Sequence, residues 1–464
     1  MERYTVPAHV QDFIKAQGYP FPASDMDTYI QAWWELLHAQ GDFWDYNDRS
    51  GGVYRRVHRR SIRPAKRVAK EWATLMLDEK TTVDCGEQTC TDWLAAYYGR
   101  IGFFARAQRL VQQAFALGTG AWALWLDTER GAMQVRRYSG SAVLPLSWDD
   151  DGVSECAFAS QASVGGKMVD QVQMHLRRDD GYHIVSHLWD ARTGHEIEIE
   201  GVAEDLPTGC PTPTFAIVTP GTDNTCVELS PYGESVYADA IDTLQSVDLC
   251  YDAVMNEVDL SKMRVFISDL LIDYQRDGEQ VVAIPFGRDN VVFRNVATGA
   301  NSSVKDSIEV SAPSMRTAEQ LQAYRAALQS MGDACGFGLH YFDIDQTGGI
   351  RTATEVSSDN SQLMRSIATH ENALGASLAQ ISRAVLHCAR SVLNISLPAE
   401  GDLRVIFDDS IIQDTQALKQ QDMAEVTAGV MSPWEYRVKW YGEDETTARE
   451  RVPEQGIEPS MSLG

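Results

Sequence analysis

The chain has 464 residues, 44% hydrophobic and 23% charged, a globular balance that excludes wholesale disorder. Its 66 Asp and Glu against 40 Lys and Arg give a formal charge of −26, so the chain as a whole is no clamp holding nucleic acid by phosphate neutralisation. At about 150 residues per domain there is room for about three units. The N-terminus lacks a charged-then-apolar export pattern, and the longest apolar run, near 115–126, falls far short of the ~20 residues that span a bilayer. The eight cysteines are scattered, which suits reduced structural thiols.

Residues 1 to about 130 read as mostly helical. Val68, Trp72, Leu75 and Met76 recur at helical spacing after Pro64, a residue suited to a first helical turn. From 132 to about 220, short apolar segments between Gly and Asp clusters predict a sheet of antiparallel strands. Residues 207–233 carry five prolines and three glycines, the strongest boundary signal in the chain. A helix is expected over about 234–260. Its Val236, Ala240, Leu244, Val247, Tyr251, Val254 and Val258 share one stripe, with Glu234, Asp248, Asp252 and Asp259 beside it. A β-rich insert of 263–315 follows, around the turn-like Gly287-Arg288-Asp289-Asn290. A second helix starts at Thr317, where Gln320 completes a capping box, and ends near Gly332. A Gly-Gly loop at 342–351 leads to a long helix capped by Thr352 and Glu355 that continues to about Leu393. A strand near 403–407 precedes two short helices, the second opening at Ser432-Pro433-Trp434-Glu435.

Catalytic motifs are missing. Gly165-Gly166-Lys167-Met168 has neither the spacing nor the hydroxyl of a phosphate-binding loop, and no nucleophile elbow occurs. Cys85 and Cys90 lack the second pair that zinc needs. His183 and His187 share a strand face, but no further ligand spacing supports a metal, and a solvated face is the better reading. Adjacent acids such as Asp408-Asp409 point to opposite faces of a strand, which argues against a cooperating catalytic pair. No catalytic residue, cofactor or metal is expected. Residues 55–70 form a basic island of eight Lys and Arg with no acid. It suits either a phosphate or, in so acidic a chain, a cationic helix face turned to a neighbouring subunit.

Pro231-Tyr232-Gly233-Glu234-Ser235-Val236-Tyr237, running into Val247-Asp248-Leu249-Cys250-Tyr251-Asp252, resembles the central segment of portal proteins of long-tailed (siphovirus-type) bacteriophages. Lys66-Arg67-Val68-Ala69-Lys70-Glu71-Trp72-Ala73 is similar to the family's early helix, and Thr352-Ala353-Thr354-Glu355-Val356 to the start of its long helix. Val405-Ile406-Phe407-Asp408-Asp409-Ser410-Ile411 is similar to its late strand, and Gly429-Val430-Met431-Ser432 with Lys439-Trp440-Tyr441-Gly442 to its C-terminal helices.

The resemblance implies an α+β, mainly helical portal architecture. The wing is expected at 1–233 (helical, then β-rich) with 333–413, the stem at 234–262 and 316–332, a small α/β clip at 263–315, and the crown at 414–464. A tunnel loop is expected at about 342–352, presenting Gln346, Thr347, Gly348, Gly349 and Arg351 to DNA. Glu234, Asp248, Asp252 and Asp259 become an acidic edge of the stem, and Arg288, Asp289 and Asn290 a clip tip for terminase or adaptor. Arg55, Arg56, Arg59 and Arg60 turn to a neighbouring subunit or coat protein. The implied function is a non-enzymatic ring, typically of twelve subunits, at one vertex of the virion and assembled in the host cytoplasm. Its implied partners are the terminase large subunit, coat and scaffolding proteins, a head-completion or adaptor protein, and duplex DNA passing without sequence specificity; no membrane is involved. The competing readings are another head-completion or scaffold protein, and a metal-dependent intracellular hydrolase built on His183 and His187.

Overall fold

The computed structural model describes residues 2–50, 53–77, 80–127, 132–164, 166–198, 203–268, 276–277, 280–281, 292–295, 308–311, 314–342, 353–407 and 415–452. Met1–Val405 makes one compact unit and Ile406–Gly464 another.

The first unit opens with helices α1 (Ala8–Ala16) and α2 (Met26–His38), then a hairpin of β1 (Asp45–Ser50) and β2 (Val53–His58). That hairpin was expected to be helical. Asp45-Tyr46-Asn47-Asp48 has no apolar alternation to mark a strand, and the signal that could have found it is the Gly51-Gly52 pair, a favoured hairpin dipeptide. Next comes α3 (Pro64–Met76), with Pro64 in its first turn and Val68, Trp72 and Met76 buried on one face, as the spacing predicts. A short β3 (Thr82–Asp84) leads to α4 (Gln88–Ile101) and α5 (Phe103–Leu117).

The β-rich part follows: β4 (Gly120–Asp127), β5 (Ala132–Ser139), β6 (Val143–Asp149), β7 (Gly152–Val164), β8 (Lys167–Arg178), β9 (Gly181–Asp190), β10 (Asp205–Cys210) and β11 (Phe215–Val218). They form two antiparallel sheets, ordered β10-β9-β8-β7-β6 and β11-β4-β5. The period-2 alternation of a strand decides what each face meets. On β7, Ala157 and Ala159 face the cluster containing Val10 and Ile14 of α1, while Cys156 and Phe158 face Tyr138 and Phe215 of the smaller sheet. Burying Val10 and Ile14 contributes about 1.5–3 kcal/mol each, which fixes α1 to the larger sheet.

Beyond β11 lie α6 (Ile241–Leu260), an insert, α7 (Thr317–Ala334), α8 (Ala353–Ser391) and a short terminal strand. Within the insert, β12 (Arg264–Ser268), β13 (Arg276–Asp277), β14 (Gln280–Val281), β15 (Val292–Asn295) and β16 (Ile308–Ser311) are described. Strand β12 pairs with β15 in parallel and with β16 antiparallel, so the described residues of the insert form strands, as the sequence predicts. Helix α8 lies along β11: Ser377 Oγ donates to the Ile217 carbonyl at 2.7 Å and Gln380 Nε2 to that of Phe215 at 2.9 Å. The short strand is β17 (Arg404–Ile406). The second unit holds α9 (Thr415–Thr427), α10 (Pro433–Tyr441) and α11 (Glu445–Glu450). The capping box of Ser432 and Glu435 is present, and Trp440 Nε1 of α10 donates to Asp422 of α9 at 2.7 Å.

Candidate functional site: the stem helix pair

The chain approaches the helix pair through a backbone crossing. Gly118 ends α5 with φ +77, and a Cβ there would lie 2.4 Å from the Gly233 carbonyl oxygen. A Cβ on Gly233 would in turn lie 2.5 Å from the Gly118 oxygen. Only glycine fits both positions. The Gly233 amide donates to Thr119 Oγ1 at 3.0 Å and the Val236 amide to the Phe115 carbonyl at 3.0 Å. A single 3-10 turn (Ala238–Ala240) then opens into α6.

The helix therefore begins at Ile241, not at 234, and Glu234 is not on it. Glu234 is buried in the approach, accepting from the Thr225 amide at 2.5 Å and Thr225 Oγ1 at 2.9 Å. Apolar spacing extended the helix too far because the 3-10 turn keeps Val236 and Ala240 nearly in phase with it.

The other three acids do not form an open edge. Asp248 is fully buried and accepts from Trp44 Nε1 at 2.8 Å, Ser61 Oγ at 2.5 Å and the Ile62 amide at 3.0 Å. Burial pushes its carboxyl above the usual range, against those three hydrogen bonds. Asp252 meets the Arg60 amide at 3.4 Å, and Asp259 pairs with Arg60 Nη2 at 2.6 Å and Lys262 Nζ at 3.2 Å. The face predicted to be an acidic rim is thus the seat of the segment that joins the β1–β2 hairpin to α3.

The basic island divides accordingly. Arg60 is neutralised by Asp259 in the same chain, and the Arg59 guanidinium lies over the rings of Phe43 (4.1 Å) and Tyr46 (5.3 Å). Arg55 and Arg56 sit exposed on β2, so they belong to a strand rather than to a helix face. Sequence reasoning missed the Arg60–Asp259 pair because its members are 199 positions apart.

Helices α6 and α7 run antiparallel. Tyr251 meets Tyr324 with ring centroids 6.2 Å apart, and Glu257 meets Arg316 two turns along. The same register sets Leu244 and Val247 level with Leu328 and Met331, all four buried. The capping box expected at Thr317 and Gln320 is absent: Arg316 is the N-cap and no side chain of α7 caps it. Glu257 of α6 takes that place. It accepts from the Arg316 amide at 3.1 Å, Nε at 3.2 Å and Nη2 at 2.8 Å, clamping the two helices where the chain leaves for the insert.

These bonds from Arg316 hold the Glu257 carboxyl below its usual range. A depressed carboxylate stabilises the fold fully above its unfolded pKa, and the contribution is lost as pH falls through the folded value. Acidification below about pH 4 should therefore release this end of the pair. Arg316→Gln should do so at neutral pH, because Glu257 keeps its burial and loses its partner. The expected result is ~tenfold faster amide exchange over 317–321 with the melting temperature nearly unchanged. Parent-like exchange would show that the clamp does not hold α7.

The insert tip (Arg288, Asp289, Asn290) and the loop residues Gln346, Thr347, Gly348, Gly349 and Arg351 lie outside the described residues, as do the side chains of Thr352 and Glu355. Among the described residues, no group of three or more His, Cys, Asp or Glu is arranged to hold a metal ion. The predicted solvated face at His183 is instead closed by carboxylates: His183 is buried between Asp205 (2.8 Å) and Asp180 (2.9 Å), and His187 pairs with Glu196 at 2.7 Å. No helix among the described residues is long and apolar enough to cross a membrane.

Two antiparallel helices are thus clamped to each other where the chain leaves for an inserted β element, an arrangement with no catalytic group among its described residues. The chain matches the family described as phage portal protein, SPP1 Gp6-like, over residues 38–445, and it belongs to that family. Its function is that of a capsid portal in a phage virion, a structural and non-enzymatic role. No curated protein sequence matches. Among solved structures the chain is similar to one in the neck of an empty GTA particle computed with C6 symmetry (14% identity, 81% of this chain and 88% of that chain, TM-score 0.41). It is also similar to one in the virion of the native gene transfer agent (GTA) particle (13%, 88% and 92%, TM-score 0.41) and to one in the native GTA neck computed with C12 symmetry (13%, 92% and 97%, TM-score 0.39).

Proposed function

We propose that this portal protein assembles into a closed ring, of twelve copies in the particle, through which duplex DNA is packaged and later ejected. The observation that carries the reading is the apolar surface left open on the helix pair. Val258, in the stripe of Leu244 and Val247, is exposed, as are Leu260 and Met263 at the end of α6 and Met315 and Leu321 on the α7 side. Exposed apolar side chains gathered at one end of a helix pair suit an interaction surface, and a closed ring requires a heterologous contact between different faces of neighbouring copies.

In this reading α6 and α7 are the stem and the insert is the clip, with Arg288, Asp289 and Asn290 toward terminase or a head-completion protein. The loop at about 342–352 reaches the channel, where Gly348 and Gly349 let it follow a helical duplex. Exposed Arg55 and Arg56 face a neighbour or coat protein. The net negative charge suits a conduit, since a basic lining would hold the duplex by counterion release. Assembly takes place in the host cytoplasm with coat and scaffolding proteins, and the finished ring docks neck and tail.

Electron microscopy of the purified full chain tests the reading. Rings with a central channel and the helix pair around it are expected. A protein that stays monomeric at micromolar concentration, alone and with its coat protein, would overturn it.

A further inference from the structure

We infer that a cavity of about 570 Å3 in the β-rich part of the first unit is a carboxylate-binding site that takes an acidic segment of a second copy of this chain, an inference that rests on the ring reading above. Arg106 of α5, Arg136 and Arg137 of β5, Gln171 of β8 and Tyr4 line the cavity, with Arg136 and Arg137 on the two faces of the edge strand β5. Among the described residues no Asp or Glu lines it, and none of the three arginines has an ion-pair partner. Three unpaired cations around one cavity are out of keeping with a chain at −26.

The cavity is also built. The Arg136 guanidinium lies 3.7 Å from the Trp125 ring centroid and donates to Gln171 Oε1 at 3.2 Å, so both side chains are held in place. Gln171 is 5% exposed, and its Nε2 has no hydrogen-bond partner among the described residues; the buried Tyr4 hydroxyl likewise has none. Buried donors without acceptors are rare in folded proteins because leaving them unpaired is costly. The Arg136 guanidinium, the Gln171 amide N–H and the Tyr4 hydroxyl can each donate into the cavity, and the exposed Arg106 and Arg137 add positive charge beside them. A carboxylate, which only accepts and has room for about four hydrogen bonds, is the complementary group. Phe103 and Trp122 form an apolar wall for the methylenes behind it.

The shape and the charge name the source. The unpartnered donor on Gln171 is buried in the wall of a concavity, which a side chain enters and the convex backbone of a duplex does not. Acids outnumber bases on this chain, so most encounters between copies are acid against acid. A ring contact pairs one patch with a different patch on the next copy, and an acid-free basic cavity is the complementary half of such a pair.

The test uses the full chain and the double variant Arg106→Glu/Arg137→Glu, both positions being exposed. Native mass spectrometry reads the ring fraction, and titration with hexaglutamate, with hexalysine as control, reads the cavity. The expected result is a melting temperature like the parent's, a ring fraction at least tenfold lower, and hexaglutamate binding weakened at least tenfold. If the double variant fails to fold, Arg106→Gln/Arg137→Gln is read in the same way. Parent-like rings together with lost hexaglutamate binding would overturn the second copy as the occupant. Equal hexaglutamate binding by parent and variant would overturn the site itself. A parent that forms no rings would overturn the ring reading and this occupant together, while hexaglutamate would still decide the chemistry of the cavity.

Discussion

Val247→Asp should lower the unfolding free energy by about 3–5 kcal/mol, the loss that follows a buried charge without a partner. Val247 is fully buried on the inner face of α6, level with Leu328 and Met331 of α7. Trp44 Nε1, Ser61 Oγ and the Ile62 amide, the donors around the adjacent Asp248, are already committed to it. A second carboxylate would find neither water nor donors, and Asp248 would repel it. Val258→Asp is the control. Val258 is 42% exposed, so the isolated chain should lose no more than about 0.5 kcal/mol. In the ring reading Val258 belongs to the face a neighbour covers, so this variant should fold and assemble poorly. Chemical denaturation of both proteins checks the first statement, and native mass spectrometry the second. A Val247→Asp protein as stable as the parent would mean that α6 is not packed as described.

Gly118→Ala should cost about 3 kcal/mol or more, from two independent causes. At φ +77 an L side chain is strained by roughly 1–2 kcal/mol. The added Cβ also meets the Gly233 carbonyl oxygen at 2.4 Å, a backbone atom that cannot swing aside, and overpacking of this kind adds about 1–3 kcal/mol. Gly102→Ala separates the two. Gly102 joins α4 to α5 at φ +59 with nothing within 4 Å of its Cβ position, so only the conformational part should appear. Equal thermal shifts for the two variants would show that the crossing with Gly233 carries no weight. The crossing matters because it packs the approach to α6 against the end of α5.

The helices were largely legible, and the reason is local. Val68, Trp72 and Met76 repeat every four residues after Pro64, and Ser432-Pro433-Trp434-Glu435 carries its cap within four residues. The antiparallel strands of the β-rich part were legible from apolar runs between turns, because side chains alternate across a pleated strand. The β1–β2 hairpin was not, since its strands are polar on both faces and only a glycine pair marks the turn. The α6–α7 pair was legible as two helices flanking an insert, while the first turn of α6 and the cap of α7 were misplaced. Both depend on contacts from elsewhere: the Gly118–Gly233 crossing ends the approach to α6, and Glu257 of α6 supplies the cap that Gln320 was expected to supply.

By itself the sequence determined the order and type of most of these elements, the family they belong to, and an acidic charge unsuited to gripping DNA, because periodicity, motif order and charge are summed along the chain. Only the tertiary structure decided what the charges do. Asp248 finds its donors 186, 187 and 204 positions away, and Asp259 finds Arg60 at 199. A carboxylate in a helical stripe reads the same whether it meets water or three buried donors, and folding alone brings those donors to it. The same holds for Arg106, Arg136 and Arg137, which read as scattered charges until α5 and β5 bring them to one acid-free cavity.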